Sequence, residues 1–234
     1  KIKRDVVAGS YTYSVASDWA NRPVNYVSFW DACRFTNWLS NGQGNGDTEN
    51  GTYTLTSAGI TGNTITRNSN WIWAVTSENE WYKAAYYKGG SSEAGYWIFP
   101  TKSDASPGNN TDDISGNNVN YKTSANSSIT DVGEYENSES PYGTFDQGGN
   151  VYEWTEALGG YNNKGRCLRG GSYIDSVNFL RKSNVRIESP TDQNGYTGFR
   201  VSRVQAVPEP ATLIGFGLPI MMVGLGKLRL LRKH

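Results

Sequence analysis

Ser28 and Ser77 each stand three residues ahead of an acidic side chain, Asp31 and Glu80. At that spacing a serine hydroxyl and a carboxylate close a capping box at a helix start. Behind the first pair, Phe29, Ala32, Cys33, Thr36 and Leu39 recur at helical spacing, with a stop at Gly42. Behind the second, Trp81, Ala84, Ala85 and Tyr86 do the same before Gly89-Gly90. The remainder of the body reads as strands and loops. Ser10–Val15 alternates like an edge strand, and Gly51–Thr56 and Trp71–Val75 read as further strands. Residues 101–130 are aperiodic and rich in Asn, Ser, Asp and Gly, hence loop, and beyond residue 140 short strands alternate with glycines. No internal repeat is visible. The expectation is an α+β fold with few helices and short antiparallel strands.

A fold with little regular structure needs large side chains to bury area, and the chain supplies 15 Tyr, 8 Trp and 7 Phe. Those rings serve either as core or as platforms for glycans. Charge is balanced, with 22 basic and 22 acidic side chains, so no basic face for nucleic acid is implied. Only 19% of residues are charged, which suits a loop-rich exported protein. Histidine narrows the chemistry further. His234, the last residue, is the chain's only one, so a Ser-His-Asp or Cys-His relay and a His-ligated zinc or iron site are excluded within the fold. Cys33 and Cys167 either bridge in an oxidising compartment or lie as buried free thiols. They form no CxxC or metal-binding spacing.

At Val207 the composition changes. Ala211–Gly226 carries no charge, and Lys227, Arg229, Arg232 and Lys233 follow. The apolar run is slightly short of the ~20 residues a helix needs to cross a bilayer. Leu228, Leu230 and Leu231 extend it, giving an anchor over 211–231 with a cytoplasmic basic end and residues 1–206 outside. A buried core helix is the alternative, which Pro219 and the several glycines disfavour. The tail resembles the PEP-CTERM sorting signal of Gram-negative bacteria that make exopolysaccharide, with Pro208-Glu209-Pro210 as its motif. The resemblance implies export to the cell surface, transient anchoring in the inner membrane and removal by an exosortase-type protease. It also implies an N-terminal signal peptide, and because the sequence opens at Lys1 with neither Met nor an apolar region, the N-terminus is expected to be truncated. Residues 207–234 are therefore read as a sorting signal, apart from a domain over 1–206.

Within that domain several blocks fall in order. They are Pro23-Val24-Asn25-Tyr26-Val27-Ser28-Phe29 with Asp31-Ala32, then Val75-Thr76-Ser77-Glu78-Asn79-Glu80-Trp81. Gly143 to Trp154 reads GTFDQGGNVYEW, and Arg169-Gly170-Gly171-Ser172-Tyr173 and Gly198-Phe199-Arg200-Val201 follow. This series is similar to the formylglycine-generating enzyme, or sulfatase-modifying factor, domain over about residues 22–203. The resemblance implies a loop-rich variant of the C-type lectin-like fold.

Asp146 to Glu153 has two readings on its own. A turn through Gly148-Gly149 carries two carboxylates and inward carbonyls to a hard cation such as calcium, or Asp146 caps a turn while Glu153 pairs with an arginine. Arg200, beside Phe199, is expected in a structural ion pair. The resemblance favours calcium, held by the side chains of Asp146 and Glu153 and the carbonyls of Gly149 and Val151. It also matches Asn120 and Tyr121 to the first ligands of a second calcium site, although Ser124-Ala125-Asn126 offers no acidic side chain there.

The family's oxidase activity needs two cysteines, five residues apart, that bind copper(I). Asp175 and Leu180 stand at those positions. Soft copper(I) demands thiolate ligands, no cysteine follows Cys167, and copper is not expected. The expected function is therefore a non-catalytic binding or structural protein on this scaffold, holding glycan or extracellular matrix. The alternative is an oxidoreductase, of the formylglycine-generating type or another, acting on a protein substrate.

Overall fold

The computed structural model describes residues 2–7, 10–91, 94–123 and 128–204. The sorting motif Pro208-Glu209-Pro210, the expected anchor over 211–231 and the loop Ser124-Ala125-Asn126 lie outside them. No helix among the described residues is long and apolar enough to cross a membrane.

Both serine caps form. Ser28 starts helix α1 (Phe29–Ser40) and Ser77 starts α3 (Glu78–Tyr86), each with hydroxyl and carboxylate closing a reciprocal capping box. The second helix stops at Tyr86, short of the Gly89-Gly90 expected to end it, because Tyr87 turns extended to bridge Tyr96. Strand β2 (Ser10–Val15) falls where alternation placed it, in an antiparallel hairpin with β1 (Ile2–Val7). Strand β3 (Trp73–Val75) is shorter than the expected Trp71–Val75.

Gly51–Thr56 is no strand. The buried Asn37 amide accepts from the Tyr53 N–H at 2.8 Å and donates to the Tyr53 carbonyl at 2.9 Å, taking the place of a ladder partner. A short helix the sequence did not announce, α2 (Ser57–Gly62), follows, capped by Thr56. Residues 101–123 and 128–130 form no helix or strand, as expected of a loop.

The remaining strands are β4 (Tyr152–Gly159), β5 (Gly165–Arg169), β6 (Arg186–Glu188), β7 (Thr197–Phe199) and β8 (Val201–Arg203). Strands β6, β5, β4 and β7 form one sheet in that order, and β3 pairs with β8. Pairings are antiparallel except β4 with β7, which runs parallel in the register Tyr152 to Thr197 and Trp154 to Phe199. Helix α1 packs over β3 and β4, and α3 also meets β4. The main core holds the large rings Phe29, Trp30, Tyr53, Tyr152 and Trp154 with Leu168, while Trp81, Ala85 and Tyr86 of α3 form a second buried cluster. Arg166 is buried among the main-core rings, its guanidinium 4.3 Å from the Phe29 ring centroid. It is held by the Asn63 side-chain oxygen and the Glu156 and Ile65 carbonyls at 2.5–2.9 Å. Those partners meet the hydrogen-bonding needs that make a buried cation tolerable.

Candidate functional site

Two crossings of the chain meet at a cavity of about 450 Å³. The turn before β4 supplies Phe145, Asp146 and Val151, β4 supplies Glu153, and the end of β7 supplies Phe199 and Arg200. Pro23, Val24 and Val132 complete an apolar wall over that polar floor. The volume falls within the range of small-ligand pockets, about 300–1,000 Å³.

The floor is an ion pair. Buried Glu153 accepts from the Arg200 Nε and from its Nη2 at 2.6 Å, while the Trp81 indole N–H donates to the same carboxylate at 2.5 Å. Arg200 also donates to the Phe145 carbonyl at 3.0 Å, tying the two crossings together. Burial works to lower the Arg200 pKa, but the adjacent Glu153 carboxylate outweighs it and holds the guanidinium protonated. Asp146 sits beside this pair in the left-handed region at φ 57°, and its Oδ2 accepts the Gly133 N–H at 2.7 Å. Burial raises the Asp146 pKa, and the Gly133 N–H and Arg200 only partly oppose it.

Of the four residues matched to calcium, Asp146, Val151 and Glu153 line the cavity and Gly149 does not. Gly149 is instead the point where two backbones touch. At φ 75°, a Cβ there would lie 2.0 Å from the Asn120 carbonyl oxygen, so only glycine fits. Calcium wants six to eight oxygens. Here the Glu153 carboxylate is engaged by Arg200 and Trp81, and the guanidinium on the cavity floor already offsets one of its two carboxylates. No group of three or more His, Cys, Asp or Glu side chains able to hold a metal exists among the described residues. The arrangement commits the Glu153 carboxylate to Arg200 and Trp81 within the protein. It matches the alternative in which Asp146 braces a turn and Glu153 pairs with an arginine.

The second site has no better geometry. The Asn120 side-chain amide donates to the Ser128 carbonyl at 2.8 Å, and its backbone carbonyl accepts the Asn150 N–H at 2.8 Å. The Tyr121 carbonyl takes the Asn109 side-chain amide at 2.5 Å. These oxygens and nitrogens hold scaffold to scaffold.

Beyond Gly170-Gly171, Asp175 accepts a hydrogen bond from the Ser172 hydroxyl, and Leu180 is fully buried. Within electrostatic reach of Asp175 are Tyr152 and Tyr196, whose ring centroids lie 5.3 and 5.0 Å from the Arg186 guanidinium. Burial, with the Asp175 carboxylate adding to it, pushes the Tyr152 phenol up to about 12. Both cysteines are free and buried. Cys33 faces the core from α1, and Cys167 donates to the Leu158 carbonyl from β5 at 3.7 Å. Burial raises both thiol pKa values, that of Cys33 strongly.

The sequence reading missed the cavity wall. Phe145 and Phe199 lie in separate stretches of sequence and line one cavity only because β7 returns parallel to β4. Tyr26 was likewise unmarked. It is two-thirds exposed at φ 55°, an uncommon conformation for an aromatic residue, with its ring laid over Gly195.

The fold has relatives among solved structures. Variable protein 1 of Treponema denticola superposes with a TM-score of 0.54 at 20% identity, over 80% of this chain and 73% of that one. CarF superposes with a TM-score of 0.57 at 23% identity, over 81% of this chain and 70% of its own. Among curated proteins none matches the chain. The family model for the sulfatase-modifying factor enzyme 1-like domain matches residues 6–205, nearly the whole described body, and the chain belongs to that family.

Proposed function

We propose that this chain is a binding module on the sulfatase-modifying factor scaffold, exported to the cell surface and engaging glycan or extracellular matrix, and that it does not oxidise a protein substrate. The observation that carries the reading is the chemistry of the sites. Copper(I) chemistry needs paired thiolates. Asp175 and Leu180 occupy the matched positions, and the two thiols of the chain are buried in α1 and β5 with their protonated forms favoured. The residues do not fit copper. What the scaffold offers instead is a pocket with aromatic and aliphatic walls and a fixed carboxylate–guanidinium floor, the composition of a recognition site.

Export rests on the tail motif at Pro208-Glu209-Pro210 and the apolar run behind it. Processing there by an exosortase-type protease is part of the proposal.

The test is a pair of assays on the full chain. Glycan-array and matrix pull-down experiments are expected to give saturable binding. A sulfatase-derived cysteine peptide incubated with the protein, copper and oxygen is expected to keep its thiol. Turnover of that peptide, lost on replacing Cys33 or Cys167, sinks the binding reading in favour of the oxidoreductase alternative.

A further inference from the structure

Outside the cavity, one surface gathers tyrosines in a line. Tyr82, Tyr96, Tyr87 and Tyr142 touch in that order, with ring centroids 5.0, 5.6 and 6.5 Å apart. The geometry has a backbone cause. Tyr87 leaves α3 in extended conformation and forms an antiparallel bridge with Tyr96, which sets both rings on one face. Tyr87 is pinned by its hydroxyl, which donates to the Gly90 and Ser91 carbonyls at 3.1 and 2.8 Å. Tyr142 comes from the tight turn in which Gly143 donates to the Ser140 carbonyl, and it stacks on Tyr87 at an interplanar angle of 28°.

Burial in a core does not account for this row. The buried cluster beneath it is Trp81, Ala85 and Tyr86 with Tyr82 packed on them, whereas Tyr96 is 39% and Tyr142 51% exposed.

Charge gives the row a polarity. Lys83, exposed on α3, holds its ammonium 5.8 Å from the Tyr87 ring centroid and 5.9 Å from that of Tyr142, and has no carboxylate partner among the described residues. At the other end Lys182 donates to the Tyr96 carbonyl at 2.9 Å. Two acids near the row among the described residues are engaged: Glu78 pairs with Arg169 and Asp104 with Lys88. Along the chain, Tyr142 lies three residues before the cavity residue Phe145.

We infer that the Tyr96–Tyr87–Tyr142 row with Lys83 is a docking strip for an acidic polysaccharide. Sugar faces would lie on the exposed tyrosine rings, and a uronate carboxylate would meet the Lys83 ammonium. Rigid tyrosines lose little conformational entropy on binding, and a cation flanked by aromatic faces favours an anionic chain over a neutral one. The inference rests on the glycan-binding reading and narrows it to one surface and one class of sugar.

Titration calorimetry of the full chain against polygalacturonate, with dextran as the neutral counterpart, tests it. Polygalacturonate is expected to bind, more weakly as salt rises, and dextran is not. Tyr142→Ala and Tyr96→Ala are each expected to weaken binding by about tenfold, the loss of one aromatic contact. Lys83→Gln, an exposed change that leaves the fold intact, is expected to weaken it and flatten its salt dependence. Equal binding of dextran overturns the charge assignment, and full binding by all three variants overturns the location. Binding to neither polymer, with saturable binding to other glycans on the array, overturns this inference and leaves the broader reading standing. Absence of all glycan and matrix binding ends both.

Discussion

Arg200 and Glu153 join the start of β4 to the end of β7, and each depends on the other. Glu153 is buried, so removing the guanidinium leaves a carboxylate facing the Trp81 indole with its charge uncompensated. Arg200→Met is expected to cost about 3–5 kcal/mol of unfolding free energy, measured by urea denaturation, the range for breaking one side of a buried pair. A loss below 1 kcal/mol would mean the pair is solvated and structurally idle. Asp146 answers in the opposite direction. Its folded-state pKa lies above the usual carboxylate value, so ionising it costs the folded form. The stability it contributes is full below its unfolded pKa and lost as pH rises through the folded one. Asp146→Asn is expected to raise the melting temperature at neutral pH and to leave it nearly unchanged in acid, since the Asn oxygen can still accept the Gly133 N–H. The sequence named both carboxylates and even the ion-pair alternative. It also marked Arg200 for a structural ion pair, as found, but did not join it to Glu153, because the two are 47 positions apart and meet only through the return of the last strands.

At the level of elements, both main helices were legible because a capping box is local: four residues contain donor, acceptor and spacing. Glu80 does more than cap α3. It accepts from the Ser77 N–H at 2.8 Å, from Arg67 at 2.9 and 3.0 Å and from the Ser202 hydroxyl at 3.0 Å, fastening the helix to β8. Burial works to raise its pKa, but these donors win and bring it to about 2. A depressed carboxylate contributes stability that is complete above about pH 4.5 and lost as pH falls toward about 2. Glu80→Gln is expected to flatten acid denaturation across that window. Ser77→Ala is expected to cost about 1 kcal/mol at neutral pH, the worth of a helix cap. Equilibrium denaturation as a function of pH reads both, and an unchanged acid limb in Glu80→Gln would remove Glu80 from the account. What failed at this scale failed for a non-local reason. Tyr53 and Leu55 are buried and Thr54 and Thr56 exposed, as alternate residues of a strand would be, yet the Tyr53 backbone is satisfied by the Asn37 side chain on α1, which no window around residue 53 reveals.

For the molecule as a whole the open question is what the cavity holds, and calcium is its sharpest test. A cation that binds only the folded form raises the melting temperature by mass action, and a chelator then lowers it. Glu153 is engaged by Arg200 and Trp81, and Gly149 lies outside the cavity lining with its backbone packed against Asn120, so two of the four matched positions are committed to scaffold contacts. The melting transition is therefore expected to coincide in excess calcium and in chelator. The arrangement also makes a second, conditional demand. If the guanidinium is what keeps a cation out, Arg200→Met, which frees Glu153 and leaves two uncompensated carboxylates beside the Val151 carbonyl, should gain a calcium-dependent rise that the parent lacks. A parent protein that melts several degrees lower in chelator would show that Glu153 exchanges Arg200 for the ion, and the cavity would then be a metal centre in which the arginine serves as a stand-in.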